Sequence, residues 1–597
     1  MKASSCFVRL QSRERAHYLH QRFQAQSAKD LSGEGQGKPV GYSRLGCRFG
    51  SSLFLGNRAA CTFTAGRLQI GGLIGRLISL LPDLWKDIKN NPAYIGTGKN
   101  ELTAGAAAAC ALWLKLHYDI YMKPMMQEAE HGSARWGSAA DIKPLCNPEF
   151  RENLIFTRTE GISIGAAMPA GSGGIYRNAN ALCIGGSGSG KKRSFIVPNI
   201  LQMSSSYVIT DPNGELYRQC APALEQAGYR VRRLNLIDMQ DSDFYNPFAY
   251  IQSEADIIKL ATNLIANTTD EGNGGDEFFV KAETALLTAI FAYVHYEHVE
   301  EERTLATVMD YIECARTESG EGGSPQLSPL DILFEGLKKE YEEAKKEEPF
   351  AVCQYAVYRQ AAGETLERIN IAVGVRLQAF NINAVRSLAS KDTIGLGSLG
   401  NEPSALFVLM PDTDTSFNFI AAMCLQQMFD MLVRQADKSE GGRLKMRVQC
   451  MLNEFANIGQ IPMFDILIST IRSKGISVAI AVQNLAQLKN AYKDTWATIA
   501  ENCDSLLFLG SNDLETLKYI SEVCGKTTIV SQSMAEQKGP QGSYSVQSEP
   551  LSRDLITAEE AGRLGGNECI LKVRGLPAFR SHKFDVSEHP SFGQLNG

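Results

Sequence analysis

The sequence has no C-x-x-C pair and no His/Cys cluster at zinc-ligand spacing, although it carries 14 cysteines and 8 histidines. Scattered thiols of this kind exclude a zinc ribbon and a disulfide-framed secreted scaffold, and they suit a reducing compartment. A strong charge of one sign is also missing: 60 Lys and Arg against 66 Asp and Glu leave a net −6. That balance excludes a chain-wide attraction to nucleic acid, so any contact with DNA has to come from a local basic surface or a channel. Long hydrophobic runs are absent as well. Residues 68–84 are interrupted by Arg76, and the charge-free stretch 102–114 is shorter than the roughly 20 residues a spanning helix needs. The opening residues, Met1-Lys2-Ala3-Ser4-Ser5-Cys6, lack the apolar core of a secretory signal.

What is present is the composition of a folded protein, with 44% hydrophobic and 21% charged residues over 597 positions, room for several domains. Residues 1–65 show no apolar period and read as a poorly ordered or atypical N-terminus. Residues 66–125 read as membrane-associated helices, with Trp113, Tyr118, Tyr121 and Lys115 suited to an interfacial belt. From His131 onward, short apolar runs alternate with helical patterns. Strands are expected at 153–156, 181–184, 207–210, 405–410, 448–452, 477–482, 505–509 and 569–573, which predicts an α/β fold with a mostly parallel sheet built from residues 131–252 and 391–590. Between 253 and 390 the spacing turns helical (Ile257, Leu260, Ala261, Leu264, later Leu286, Leu287, Ile290, Tyr293), which predicts an inserted all-helical domain. Within it 338–348 is expected as an exposed helix and 319–328 as a loop; further on, 534–548 is expected as a mobile loop.

The densest chemical signal is Gly185-Gly186-Ser187-Gly188-Ser189-Gly190-Lys191-Lys192, entered from the apolar run Ala181-Leu182-Cys183-Ile184. It satisfies G-x-x-x-x-G-K, whose backbone amides cradle phosphate oxygens while the lysine reaches the terminal phosphates. Lys192 stands where Ser or Thr would offer a hydroxyl to Mg²⁺. A phosphate loop needs partners at the ends of neighbouring strands. The run 448–452 supplies Asn453, at the position of a metal-binding aspartate, and Glu454, at that of a catalytic base; 477–482 ends in Gln483, suited to sensing a phosphate. The polar segment Asp211-Pro212-Asn213-Gly214-Glu215 also follows a strand, although its residues are equally those of a plain turn.

Eight ordered blocks make the reading more specific: HGSARWG at 131–137, IGGSGSGK at 184–191, TDPNGE at 210–215, YNPFAYI at 245–251, MPDTDTSFNFI at 410–420, NEFANIGQIP at 453–462, TIRSKGIS at 470–477 and QNLAQLKNAYKD at 483–494. In this series the chain resembles the conjugal-transfer coupling proteins of type IV secretion systems. Those are membrane-anchored, hexameric, RecA-like ATPases that pass single-stranded DNA and its attached relaxase to the secretion channel. The resemblance implies a RecA-like nucleotide-binding domain, ATP with Mg²⁺ as cofactors, single-stranded DNA, relaxase and other secretion components as partners, and a cell-membrane location with the bulk of the chain cytoplasmic. It also implies roles: Lys191 on the β/γ-phosphates, Glu454 polarising water, Gln483 reporting the γ-phosphate, and Arg472 entering a neighbour's active site. Taken alone, Arg472 reads as a solvated surface residue. An alternative of another class is a non-hydrolysing nucleotide-binding docking protein for transfer components.

The chain departs from that pattern at Lys192, Asn453 and Asn213, the last standing where relatives more often carry Lys. Each of the first two adds one unit of positive charge beside the same metal position, which disfavours Mg²⁺. The expectation is ATP binding with little metal dependence and strongly reduced hydrolysis.

Overall fold

A computed structural model describes residues 132–165, 177–269, 277–315, 327–361, 364–536 and 544–595, together with a few positions between 103 and 115. The expected N-terminus at 1–65, nearly all of the membrane-associated stretch 66–125 and the loop at 319–326 lie outside the described residues.

The strands, in chain order, are β1 (Asn153–Ile155), β2 (Gly161–Ser163), β3 (Ala181–Ile184), β4 (Ser206–Pro212), β5 (Arg230–Asn235), β6 (Ser404–Met410), β7 (Val448–Leu452), β8 (Ile476–Val482), β9 (Ser505–Phe508), β10 (Lys526–Glu536), β11 (Tyr544–Asp554), β12 (Glu568–Val573) and β13 (Ala578–His582). Nine of them form one sheet in the order β13-β12-β9-β3-β8-β7-β4-β6-β5. The run from β9 to β5 is parallel, and β12 and β13 add an antiparallel edge. The α/β, mostly parallel expectation holds. β3, β4, β6, β7, β8 and β9 are buried at every position, because a parallel sheet covered on both faces offers its strands no wet side.

Alternation along each strand sorts the side chains into two cores. Leu182, Ile184, Val208, Val408, Cys450, Ile480 and Phe508 face one helical layer. Ala181, Cys183, Ile209, Phe407, Met451 and Leu507 pack with the β1–β2 hairpin, Phe195, Ile196 and helix α1 (Glu215–Gln226) on the other face. Between β5 and β6 every regular element is helical, including α2 (Glu254–Thr268), α3 (Glu277–Glu297) and α4 (Pro329–Glu343). After β6 comes α5 (Asn418–Lys438), and α6 (Phe464–Lys474) joins β7 to β8. Among the described residues, α3 alone is long and apolar enough to cross a membrane. It buries Leu286, Leu287, Ile290 and Phe291 in the helical core, as the central helix of a soluble layer does.

Three expectations on local structure change. The segment 534–548, read as a mobile loop from its Gln, Gly and Ser content, is strand up to Glu536 and again from Tyr544, a long antiparallel hairpin in register from Lys526↔Asp554 to Glu536↔Tyr544. Backbone pairing over that length holds polar residues extended when their side chains alternate across a two-stranded ribbon. The exposed helix expected over 338–348 ends at Glu343, because Lys345 takes φ 54 and Pro349 caps the next helix. The strand at 153–156 exists but pairs only with β2, outside the main sheet.

Candidate nucleotide-binding site

Parallel strands deliver the site. β3, β8, β7 and β4 are consecutive in the sheet, roughly 4.8 Å apart, so their carboxyl ends bring the glycine loop, Gln483, Asn453-Glu454 and Asp211 side by side. The loop is pinned by Gly185 N donating to Val482 O at 3.0 Å and Gly186 N donating to Gly510 O at 2.8 Å. Gly188 (φ 74) and Gly190 (φ 90) take left-handed conformations, and a Cβ on Gly185 would fall 2.3 Å from Ser189 Oγ. The amides of Ser187, Gly188 and Gly190 have no acceptor among the described residues, which leaves a cradle of donors. A π-helical turn at Lys192–Ile196 follows and runs into Val197–Ile200.

Lys191 is buried in this cradle, with Nζ donating to Gly185 O at 2.6 Å and lying 3.4 Å from Glu454 Oε1. Gln483 Nε2 donates to the other carboxylate oxygen, Glu454 Oε2, at 3.2 Å. Glu454 itself sits at φ 52, ψ 49, a conformation that costs a non-glycine residue of order 1 kcal/mol and is retained where geometry matters. The predicted trio of Lys191, Glu454 and Gln483 is therefore one connected constellation.

Lys192 is turned the other way. Its Nζ is 2.8 Å from Glu215 Oε2 and donates to Asn213 Oδ1 at 3.2 Å, while Asn213 Nδ2 donates to Asp412 Oδ2 at 2.7 Å. The two departures Lys192 and Asn213 thus touch each other. Asn453 is fully buried; its amide nitrogen and oxygen have no partner among the described residues, and its main-chain oxygen accepts from Thr210 Oγ1 at 2.7 Å. The loop fits the phosphates of a nucleotide. It does not fit a protein-held Mg²⁺, because the expected ligand positions carry an ammonium engaged elsewhere and a neutral amide.

Arg472 is not brought to this cluster. It lies at the end of α6, before β8, whereas Gln483 follows β8; the seven residues of that strand separate the two by roughly 20 Å.

Two contributors received no individual role in the sequence reading. Asp211, fully buried, accepts from Tyr217 N at 2.8 Å, and burial pushes its carboxyl up to about 6. Lys583, also buried, donates to Ser189 O at 2.9 Å and to Gly566 O at 2.8 Å, clasping the phosphate loop from the far end of the chain. Desolvation lowers its pKa. TDPNGE was legible as a polar strand end; a lysine nearly 400 positions from the loop carried no local signal.

Comparison with known proteins agrees with this geometry. The chain is similar to the conjugal transfer protein TraG of Rhizobium radiobacter, 25% identical over 419 residues that make up 68% of this chain and 62% of that protein. It is also similar to the protein VirD4 of Rhizobium radiobacter, 20% identical over 511 residues, 82% of this chain and 69% of that one. The solved bacterial conjugative coupling protein TrwBdeltaN70, in its unbound form, aligns with TM-score 0.55 at 14% identity, covering 78% of this chain and 97% of that structure. TrwB in complex with ADP and Mg²⁺ aligns with TM-score 0.52 at 15% identity over 76% and 94% of the two chains. The solved structures share the fold: a mixed, mostly parallel sheet with helices. The family model described as type IV secretory system conjugative DNA transfer matches residues 145–587, and the chain belongs to that family.

Proposed function

We propose that this chain is the coupling protein of a conjugative type IV secretion system, a nucleotide-dependent motor that links single-stranded DNA and its relaxase to the secretion channel. The observation that carries the reading is the convergence of Lys191, Glu454 and Gln483 on a donor-lined glycine loop at the carboxyl ends of adjacent parallel strands. ATP is the ligand that matches it. Lys191 binds the β/γ-phosphates after leaving Gly185 O, Glu454 is freed to polarise water, and Gln483 couples its position to β8.

In this reading the sheet domain is RecA-like, and the helical segment 253–390 is the separate domain that meets DNA and relaxase. The chains assemble as a hexamer with Arg472 reaching a neighbour's nucleotide, and residues 66–125 anchor a mainly cytoplasmic body to the cell membrane. DNA is gripped through its phosphates, without base specificity. Mg²⁺ accompanies ADP in one TrwB structure. In this chain Lys192 and Asn453 would give such a metal no anionic ligand, and slow hydrolysis is the expected outcome.

Titration of the full chain with a fluorescent ATP analogue tests the site. Lys191→Ala is expected to weaken binding about 100-fold, the scale of a lost charge-assisted contact set. Equal affinity in the two proteins would refute the site.

A further inference from the structure

A cavity of about 610 Å³ opens at the amino-terminal ends of the strands, the edge of the sheet away from the phosphate loop. Arg443, Arg447, Arg472, Lys474 and Arg177 line it, and among the described residues no Asp or Glu does. Basic residues at the end of α6 are ordinary, since cations suit a helix C-terminus. The placement of Arg443 is not explained that way, because it precedes β7 and lies outside any helix.

Two of the cations already have carboxylates. Arg447 Nη1 is 2.7 Å from Glu152 Oε2, and Lys474 is paired with Asp437. Arg443 has no hydrogen-bond or ion-pair partner among the described residues, and its side chain lies across Gly475. There, φ is +86 and a Cβ would meet Arg443 Nε at 3.2 Å. Burial, followed by the like charges of Arg447 and Arg472, pulls the Arg443 guanidinium below its ordinary pKa. Arg443 stands beside the like charges of Arg447 and Arg472 with no carboxylate of its own among the described residues, and a multivalent anion offsets that charge with bidentate hydrogen bonds. Among the described residues the apolar lining is Ile164, Ala179 and Ile476, and no aromatic ring is included.

We propose that this cavity is a second oxyanion site, which takes phosphate groups through Arg443 and Arg472. The phosphates come either from a nucleic-acid strand or from the tail of a nucleotide.

The test uses the full chain carrying Lys191→Ala, so that the phosphate loop is silenced, and two probes: tripolyphosphate by calorimetry and labelled oligo-dT by anisotropy across a salt series. At least one probe is expected to bind, Arg443→Gln to weaken it about five-fold or more, and Arg443→Lys to retain most of the affinity. A loss confined to tripolyphosphate assigns the site to a nucleotide tail. A loss for oligo-dT, with the log–log salt slope shallower by about 0.7 per contact removed, assigns it to a strand. If Arg443→Gln lowers the melting temperature, the exposed Arg472→Gln is read in its place. Binding by neither probe, or probes indifferent to these variants, overturns the proposal. ATP binding at the phosphate loop is measured separately in the chain with Lys191 intact, so failure of one reading does not mimic failure of the other.

Discussion

Lys192 and Asn213 decide more about this molecule than any other pair of side chains. An ammonium where a metal-ligating hydroxyl is expected would repel Mg²⁺, but here it is drawn aside by Glu215 and Asn213, and Asn213 in turn holds Asp412. The loop stays open for phosphate while its metal position stays without a ligand. Lys192→Thr with Asn453→Asp restores both and is expected to raise Mg²⁺-dependent phosphate release by about ten-fold or more, read by a coupled phosphate assay. No gain in the double variant would mean that the slow step lies elsewhere. Asp211 gives a second residue-scale prediction. A carboxyl whose native pKa is about 6 against an ordinary 3.8 stabilises the fold while protonated. That contribution is complete below about pH 4 and is lost as the pH rises through 6. Asp211→Asn keeps an acceptor for Tyr217 N and removes the titration. In denaturant melts the variant should gain on the natural chain by at most about 3 kcal/mol between pH 4 and pH 7. A difference that does not change with pH would contradict it. The meeting of Lys191, Glu454 and Gln483 was legible because each lies just beyond an apolar strand run. Lys583 was not, since a tertiary clasp leaves no periodic trace in the chain.

Elements recoverable from sequence were those whose burial is uniform. β3 and β7 match the expected residues 181–184 and 448–452 because strands buried on both faces read as unbroken apolar runs. β5, Arg230–Asn235, was missed: it is the sheet's edge, and its arginines stay partly exposed. The β10–β11 hairpin was hidden by a segment rich in Gln, Gly and Ser. In the helical layer, α4 is fixed at its start by a buried polar knot. Asp331 accepts from Ser328 N at 2.9 Å and Tyr355 Oη at 2.8 Å, and pairs with Arg359 at 2.9 Å. Asp331→Ala removes the shared acceptor and is expected to cost about 3 kcal/mol in denaturant melts. ATP affinity should remain unchanged, because the knot lies in the helical segment and shares no contact with the loop. Loss of nucleotide binding in a still-folded Asp331→Ala chain would count against that separation.

At the scale of the whole molecule, a sheet sandwiched between two cores presents one edge of strand ends to a nucleotide and the opposite edge, lined with arginines, to a second anion. Composition concealed this. A chain with net charge −6 gives no global sign of affinity for polyanions, yet it concentrates basic residues where strands begin. The ordered blocks carried the family, and some of them, such as 184–191 and 210–215, mark strand ends that the sheet then assembles. In the proposed function the site holds ATP through its backbone cradle and Lys191, while Lys192 and Asn453 offer Mg²⁺ no anionic ligand. The most direct test is ATP titration of the full chain with Mg²⁺ and with EDTA, alongside phosphate release with and without single-stranded DNA. Affinities within about three-fold of each other are expected in the two conditions, with slow release. Tight binding only with Mg²⁺, accompanied by brisk DNA-stimulated turnover, would contradict it.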